Sequence, residues 1–227
     1  MYSLLTDTST NEIAAAVFRD DEKLFEGYFP AEKRYNAVFM DCIDSGFKKA
    51  GIKPGDVDVF ASTLGPGAFT GVRISIAAMK AFALSLDKLF FGVSTLEILA
   101  ASAEVKNGHV TAVIDARRGE VYTAGFEVRD AEIRPDNRGM LLRKKEDFFA
   151  DNLSGCAVLI KRDEFLVEYF KKSSKIDIKV KEHIEMESFY RLLAQNRDNI
   201  KKEDLYGAKP VYIRKPDAEK GSKKGMK

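Results

Sequence analysis

Gly65 and Gly67 flank Pro66 in a segment that reads Thr63-Leu64-Gly65-Pro66-Gly67-Ala68-Phe69-Thr70-Gly71-Val72-Arg73. Before it, Val57 to Ala61 alternates apolar and polar residues as a strand does. After it, Val72 to Leu86 is too long and too rich in Ala and Leu for a strand and reads as a helix. Pro66 has a fixed φ, whereas the two glycines reach backbone angles that other residues avoid. Thr70 is placed to cap the helix, leaving backbone N–H groups aimed into the loop, where they could hold phosphate or another anion. Two well-known phosphate loops do not fit. Walker A needs Lys and then Ser or Thr after its last glycine, but Gly71 is followed by Val72. The dinucleotide fingerprint needs glycine where Thr70 stands.

Asp7 and Asp115 each end an apolar strand and could orient a metal or a water. The favoured reading is simpler: such residues bond their own backbone in a turn. His109 and His183 are the two histidines. They lie 74 residues apart with no Cys or His neighbour, whereas a helical two-histidine metal site needs them three or four apart. Ser3, Ser9, Ser62 and Ser94 fall near strand ends, but no G-x-S-x-G elbow exists to activate one. No catalytic residue and no metal-ligand set is therefore expected.

The elements that must position these residues come in two similar series. Leu5-Thr6-Asp7-Thr8 followed by Glu12-Ile13 lines up, 108 residues on, with Val113-Ile114-Asp115-Ala116 followed by Glu120-Val121; Phe18 lines up with Phe126. In the first series a third strand (22–29) leads to a helix over 34–50, with Tyr35, Val38, Phe39, Cys42, Ile43 and Phe47 on one face. Then come the strand from Val57, the helix from Gly71, the strand Leu89 to Val93 and a helix from Thr95 capped by Ser94. The second series gives strands over 109–115, 120–128 and 131–142, a short helix over 144–151, and a strand over 156–160. It ends with a helix over 162–172, a strand over 176–181 and a helix over 185–197. Three strands followed by alternating helix and strand, given twice, is the duplicated ribonuclease-H-like α/β plan. The halves are 1–104 and 109–213, with 104–108 as hinge and weaker helices making the second half degenerate.

A hydrophobic fraction of 45% suffices for a packed core. No basic leader and no long charge-free apolar run is present, so no membrane association is expected. Cys42 and Cys156 lie far apart, outside any CxxC, and read as buried reduced thiols of a cytoplasmic protein. The net charge of +2 is too small to mark a nucleic-acid binder, although residues 214–227 carry six Lys/Arg against two acids. That end is expected to be a solvated tail.

The glycine segment resembles the GPGSFTGVRIG signature of the bacterial TsaB (YeaZ) family. The resemblance continues through Asp7-Thr8-Ser9-Thr10, Gly92-Val93-Ser94-Thr95-Leu96, Ile114-Asp115-Ala116-Arg117-Arg118-Gly119-Glu120-Val121-Tyr122 and Pro210-Val211-Tyr212-Ile213-Arg214. The matches run through most of the chain in the family's order. The resemblance implies the actin, Hsp70 and hexokinase superfamily. It also implies a non-catalytic subunit of the machinery that makes threonylcarbamoyladenosine in tRNA, docked on a TsaD-like transferase, with a TsaE-like ATPase and tRNA joining through the complex. The superfamily's nucleotide site uses an Asp-x-Gly-Thr turn in each half. Here the first turn has no glycine, the second has Gly119 late, and no Gly-Gly pair occurs. Tight ATP binding is not expected, and ATP or ADP would sit at a subunit junction. Candidate anion or nucleotide contacts are Asp7, Thr8, Gly65, Gly67, Thr70, Arg73, Asp115 and Arg117. The alternative is a self-contained ATPase or small-molecule kinase. The Lys209 to Arg214 segment, where Lys209 and Arg214 flank Pro210 and Tyr212, reads first as a chain end docking on the body, with a ligand or tRNA contact as the alternative.

The helix after the glycine loop is apolar nearly all round, so it is either fully buried or sets one face against a partner. In the resembled family this helix and the preceding one serve docking and self-association. The expected interface is Tyr35, Val38, Phe39, Ile74, Ala78, Ala81 and Phe82, with a homodimer as a second arrangement. Arg73, read as lying in the helix's first turn, opposes the macrodipole and calls for a nearby anion.

Overall fold

The computed structural model describes residues 1–31, 35–150, 155–160, 166–168 and 176–214, with the backbone alone at 35, 36, 149 and 150. The first half contains β1 (Tyr2–Asp7), β2 (Glu12–Arg19), β3 (Glu22–Pro30), α1 (Tyr35–Ala50), β4 (Val59–Thr63), α2 (Phe69–Ser85), β5 (Leu89–Val93) and α3 (Thr95–Ala101). The second contains β6 (Gly108–Arg117), β7 (Glu120–Arg129), β8 (Glu132–Lys144), α4 (Lys145–Ala150), β9 (Cys156–Ile160), β10 (Asp177–Lys181), α5 (Met186–Asn196) and a last short helix α6 (Asp204–Gly207). The tail after Arg214, most of the helix expected over 162–172 and the side chain of Tyr35 lie outside the described residues; 166–168 are helical.

Each half forms a five-stranded sheet, ordered β3-β2-β1-β4-β5 in one and β8-β7-β6-β9-β10 in the other. In both, the second strand is antiparallel to its neighbours and the last two strands run parallel to the first. This is the ribonuclease-H-like plan twice over.

Strand alternation divides the apolar residues into three layers. Leu4, Ile13, Val17 and Phe60 pack outward on Phe39, Cys42 and Ile43 of α1 and Met79 of α2. Leu5, Ala16 and Ala61 face the other way, into a central layer of α3 and α5 that the second sheet closes with Ala112, Ala124 and Val158. On that sheet's far side, Val113, Val121 and Leu159 cover Phe148 of α4 and Leu166. The two sheets thus share one core. Ser94 caps α3 by accepting from Leu96 N at 3.2 Å. Both cysteines are free and buried, and burial pushes the Cys42 thiol up to about 12.

The 108-residue repeat is one residue out of structural register in the first strand of each half. Asp7 pairs across to Ala14, whereas Asp115 pairs across to Val121, the repeat equivalent of Ile13. A bulge between Asp115 and Arg117 takes up the difference. A slip of one residue turns a side chain to the opposite sheet face. Leu5 accordingly faces the central layer, while its repeat partner Val113 faces the outer one.

Candidate functional site

The glycine loop is seated on the first aspartate turn. Gly65 has φ +89°, a left-handed value suited to glycine, and precedes a cis peptide bond to Pro66. A Cβ on Gly67 would lie 2.1 Å from the Ser9 carbonyl oxygen, so glycine is required there for close approach. Ala68 N donates to that same oxygen at 2.6 Å, Thr95 N donates to Gly65 O at 2.9 Å, and Val211 N donates to Leu64 O at 2.7 Å. Much of the loop's backbone is therefore occupied by the chain itself.

Thr70 does not cap α2. The helix starts earlier than its apolar run suggested, with Ala68 at the cap position and no side-chain cap. Thr70 falls inside the first turn, and Arg73 is the fifth helical residue rather than a first-turn residue. Phe69 thereby joins the exposed row of the helix.

Asp7 is 1% exposed; its Oδ1 accepts from Ser9 N at 3.0 Å and from Thr63 Oγ1 at 2.7 Å. Burial pushes its carboxyl above the usual aspartate range despite those bonds. Asp115 makes the same turn, accepting from Arg117 N at 3.0 Å, and pairs with Lys145 Nζ at 3.1 Å. Both aspartates bond their own backbone as the turn reading expects. The register slip leaves Asp7 in the interior and Asp115 on the surface.

Between the halves opens a cleft of about 930 Å³. It is lined by Ser9 to Asn11, Gly67 to Arg73, Val113 to Arg118 and Val211 to Arg214. Gly67, Thr70, Arg73, Asp115 and Arg117 come together there, while Asp7, Thr8 and Gly65 are buried and do not line it. Arg117 Nη2 donates to Asn11 Oδ1 at 2.9 Å, joining the two turns. The terminal segment crosses from one half to the other. Val211 bonds Leu64, and Arg214 donates to Ala116 O at 2.8 Å and pairs with Glu120. The segment thus docks on the body, as its simpler reading holds.

Arg73 meets aromatics rather than an anion. Its guanidinium carbon lies 3.6 Å from the Phe69 ring centre and 5.3 Å from that of Tyr212, and its Nε donates to the Tyr212 hydroxyl at 2.6 Å. Among the described residues no carboxylate pairs with it. Phe69 was missed in the sequence, although its i, i+4 spacing to Arg73 is the signal. Tyr212 lies 139 residues away, beyond the reach of any local pattern.

The helix faces are resolved in part. Ala77, Ala81 and Leu84 of α2 are exposed, Leu84 at 61%, and Ile74, Ala78 and Val38 are half-buried. Full burial of α2 is thereby excluded. One expected surface residue, Phe39, is core instead, and another, Phe82, is half-buried against the core. Phe39 is 1% exposed, and Phe82 stacks on Phe60 with ring centres 5.4 Å apart. Neighbouring positions on a helix point about 100° apart, so Ala81 faces solvent while Phe82 turns towards the sheet.

His109 meets Asp136 at 3.2 Å and Arg138 at 3.0 Å; His183 meets Glu12 at 2.6 Å and stacks on Tyr28. Among the described residues no group of three or more His, Cys, Asp or Glu is placed to hold a metal. Nor is any described helix long and apolar enough to cross a membrane.

A family model described as TsaD: tRNA N6-adenosine threonylcarbamoyltransferase matches residues 15–139, over half of the chain. The chain belongs to the TsaD family, in its TsaB (YeaZ) branch. It is 33% identical over 144 residues to the Bacillus subtilis (strain 168) tRNA threonylcarbamoyladenosine biosynthesis protein TsaB, covering 62% of this chain and 63% of that one. To the Escherichia coli (strain K12) TsaB it is 34% identical over 130 residues, covering 56% and 55%. The matches therefore span less than two thirds of these relatives. The solved structure of YeaZ from Pseudomonas aeruginosa shares the fold, with a TM-score of 0.76, 24% identity and coverage of 93% of this chain and 99% of that one.

Proposed function

We propose that this chain is a supporting subunit of the machinery that makes threonylcarbamoyladenosine in tRNA. It docks on a TsaD-like transferase through the outer faces of α1 and α2 and holds it in its active form. A TsaE-like ATPase and tRNA join through the complex, in the cytoplasm, and self-association uses the same faces. The observation that carries this reading is the outward apolar row of α2, Ala77, Ala81 and Leu84, accompanied by Met40 on α1, 46% exposed. Small alanines let another helix approach closely, and exposed Leu84 and Met40 favour burial against a partner. The names of the TsaB relatives supply the reaction.

The test is reconstitution. Purified chain, TsaD-like subunit, TsaE-like ATPase, threonylcarbamoyl donor and tRNA should yield the modified adenosine by mass spectrometry, and omission of this chain should abolish it. Ala81→Glu should leave the melting of the free chain unchanged, because the position is exposed, while preventing assembly. A folded Ala81→Glu chain that still assembles would move the docking face elsewhere.

The cleft between two aspartate turns supports one second reading, a self-contained ATPase or kinase. It requires the isolated chain to bind ATP tightly and turn it over. The burial of Asp7 and the pairing of Asp115 with Lys145 argue against it.

A further inference from the structure

We propose that the mouth of the cleft is an RNA platform: an unstacked base rests on the Phe69–Arg73–Tyr212 group while the neighbouring arginines hold its phosphates. This rests on the reading above, in which the complex acts on tRNA, and adds where this chain touches it.

Three observations converge. The first is an open aromatic pair. Phe69 is 42% and Tyr212 44% exposed, with ring centres 5.3 Å apart. Aromatic faces this open, with a guanidinium already stacked on one of them, suit a base splayed out of an RNA loop. The second is charge. Among the described residues, the cleft lining holds Arg73, Arg117, Arg118 and Arg214 against one carboxylate, Asp115, which Lys145 pairs. Glu120 beside it is held by Arg214. Among the described residues, Arg73 and Arg117 have no carboxylate partner; their polar contacts are Tyr212 and Asn11. The third is the turn itself. Arg117 and Arg118 both have positive φ, 61° and 56°, an uncommon backbone for consecutive arginines, and both line the cleft.

A protein partner would also value aromatic and arginine side chains. The excess of cations selects a polyanion instead, and the open edge suits a strand of RNA better than an enclosed small ligand. Phe69 and Arg73 begin the same helical row that continues through Ala77 and Ala81, so RNA on this platform would lie beside the seat proposed for the transferase.

The experiment uses the complex of this chain with a TsaD-like subunit and a substrate tRNA transcript, with affinity measured by fluorescence anisotropy at several salt concentrations. The double variant Phe69→Ala/Tyr212→Ala should weaken tRNA binding about tenfold or more, the scale of one lost base–aromatic stack. The ring-preserving double variant Phe69→Tyr/Tyr212→Phe should keep most of it. Arg117→Gln should lower the salt dependence by about one phosphate contact. Assembly, followed by gel filtration, should be unchanged in each.

Unchanged tRNA affinity in the folded, assembled double variant would overturn the proposal. So would loss of assembly with tRNA affinity intact, which would assign the patch to a protein partner. Arg117→Gln keeps the question decidable if the double variant misfolds: an unaltered affinity and salt slope overturns the arginine role. A wild-type complex that binds tRNA through the platform yet yields no modified adenosine would leave this inference standing and sink the functional reading. A wild-type complex with no tRNA affinity would sink both.

Discussion

Replacing Gly67 with alanine should loosen the cleft by forcing the glycine loop off the first aspartate turn. The new Cβ would sit 2.1 Å from the Ser9 carbonyl oxygen and 2.8 Å from the Ser9 carbonyl carbon, both backbone atoms that cannot rotate away. Ordinary contact begins near 3.4 Å, so the loop must withdraw by about 1.3 Å. That movement lengthens the 2.6 Å bond from Ala68 N to Ser9 O beyond hydrogen-bonding range. Leaving the pair unmade costs about 1–3 kcal/mol, and the residual strain of an overpacked site about 1–3 kcal/mol more. The alanine stiffens the unfolded chain and offsets roughly 0.4–1 kcal/mol. A net loss of about 1–5.6 kcal/mol remains, which lowers the melting temperature of a chain this size by about 2–22 °C. Scanning calorimetry measures the shift, and hydrogen exchange at the Ala68 amide should lose its protection. Gly55→Ala is the control, since its added methyl would meet nothing within 4 Å and the position is exposed. A Gly67→Ala chain that melts within about 1 °C of the parent would refute the seating of the loop on Ser9.

Asp7→Asn tests the buried carboxyl. Because burial raises the folded pKa above 3.8, the favourable contribution of protonated Asp7 is fully present below 3.8 and is lost as pH rises through the folded value. The asparagine variant, neutral throughout and still able to accept from Ser9 and Thr63, should be at least as stable at pH 7. Its urea stability should also fall less between pH 4 and 7; marked destabilisation at pH 7 would instead point to a stabilised carboxylate. Phe82→Ala should cost about 2–4 kcal/mol in chemical denaturation, because its ring packs on Phe60 and Phe47; a neutral change would return Phe82 to the surface. Arg214→Ala should lose about 1.5–3 kcal/mol for a charge-assisted contact to Glu120. It should also speed chymotryptic cleavage after Tyr212, and equal cleavage rates would show that the terminal segment is held without it.

The order of elements was legible in the sequence because each is announced locally. The apolar face of α1, the Ser94 cap and the strand alternation that yields three layers all arise within a few residues of one another. So does the glycine segment that carries the resemblance to the TsaB family, and the repeat that predicts two similar halves. The candidate site was legible only as a set of fragments. Residues near 9, 67, 115 and 212 meet in one cleft because two sheets close on a shared layer of helices and the terminal segment crosses between them. Such meetings are absent from any window of sequence.

Three decisions belonged to the tertiary structure alone. An all-round apolar helix contains no record of which side the sheet will take, so Ala81 and Phe82 exchange meaning only when α2 lies on Phe60. A repeat of 108 residues aligns Asp7 with Asp115. Strand pairing then shifts one of them by a single residue, and the two-residue period of a strand sends one inward and the other to solvent. Arg73 looked short of an anion because its own helix offers none. Its hydroxyl and ring partner, Tyr212, arrives from the far end of the chain, brought there by hydrogen bonds to Leu64 and Ala116 that depend on the fold.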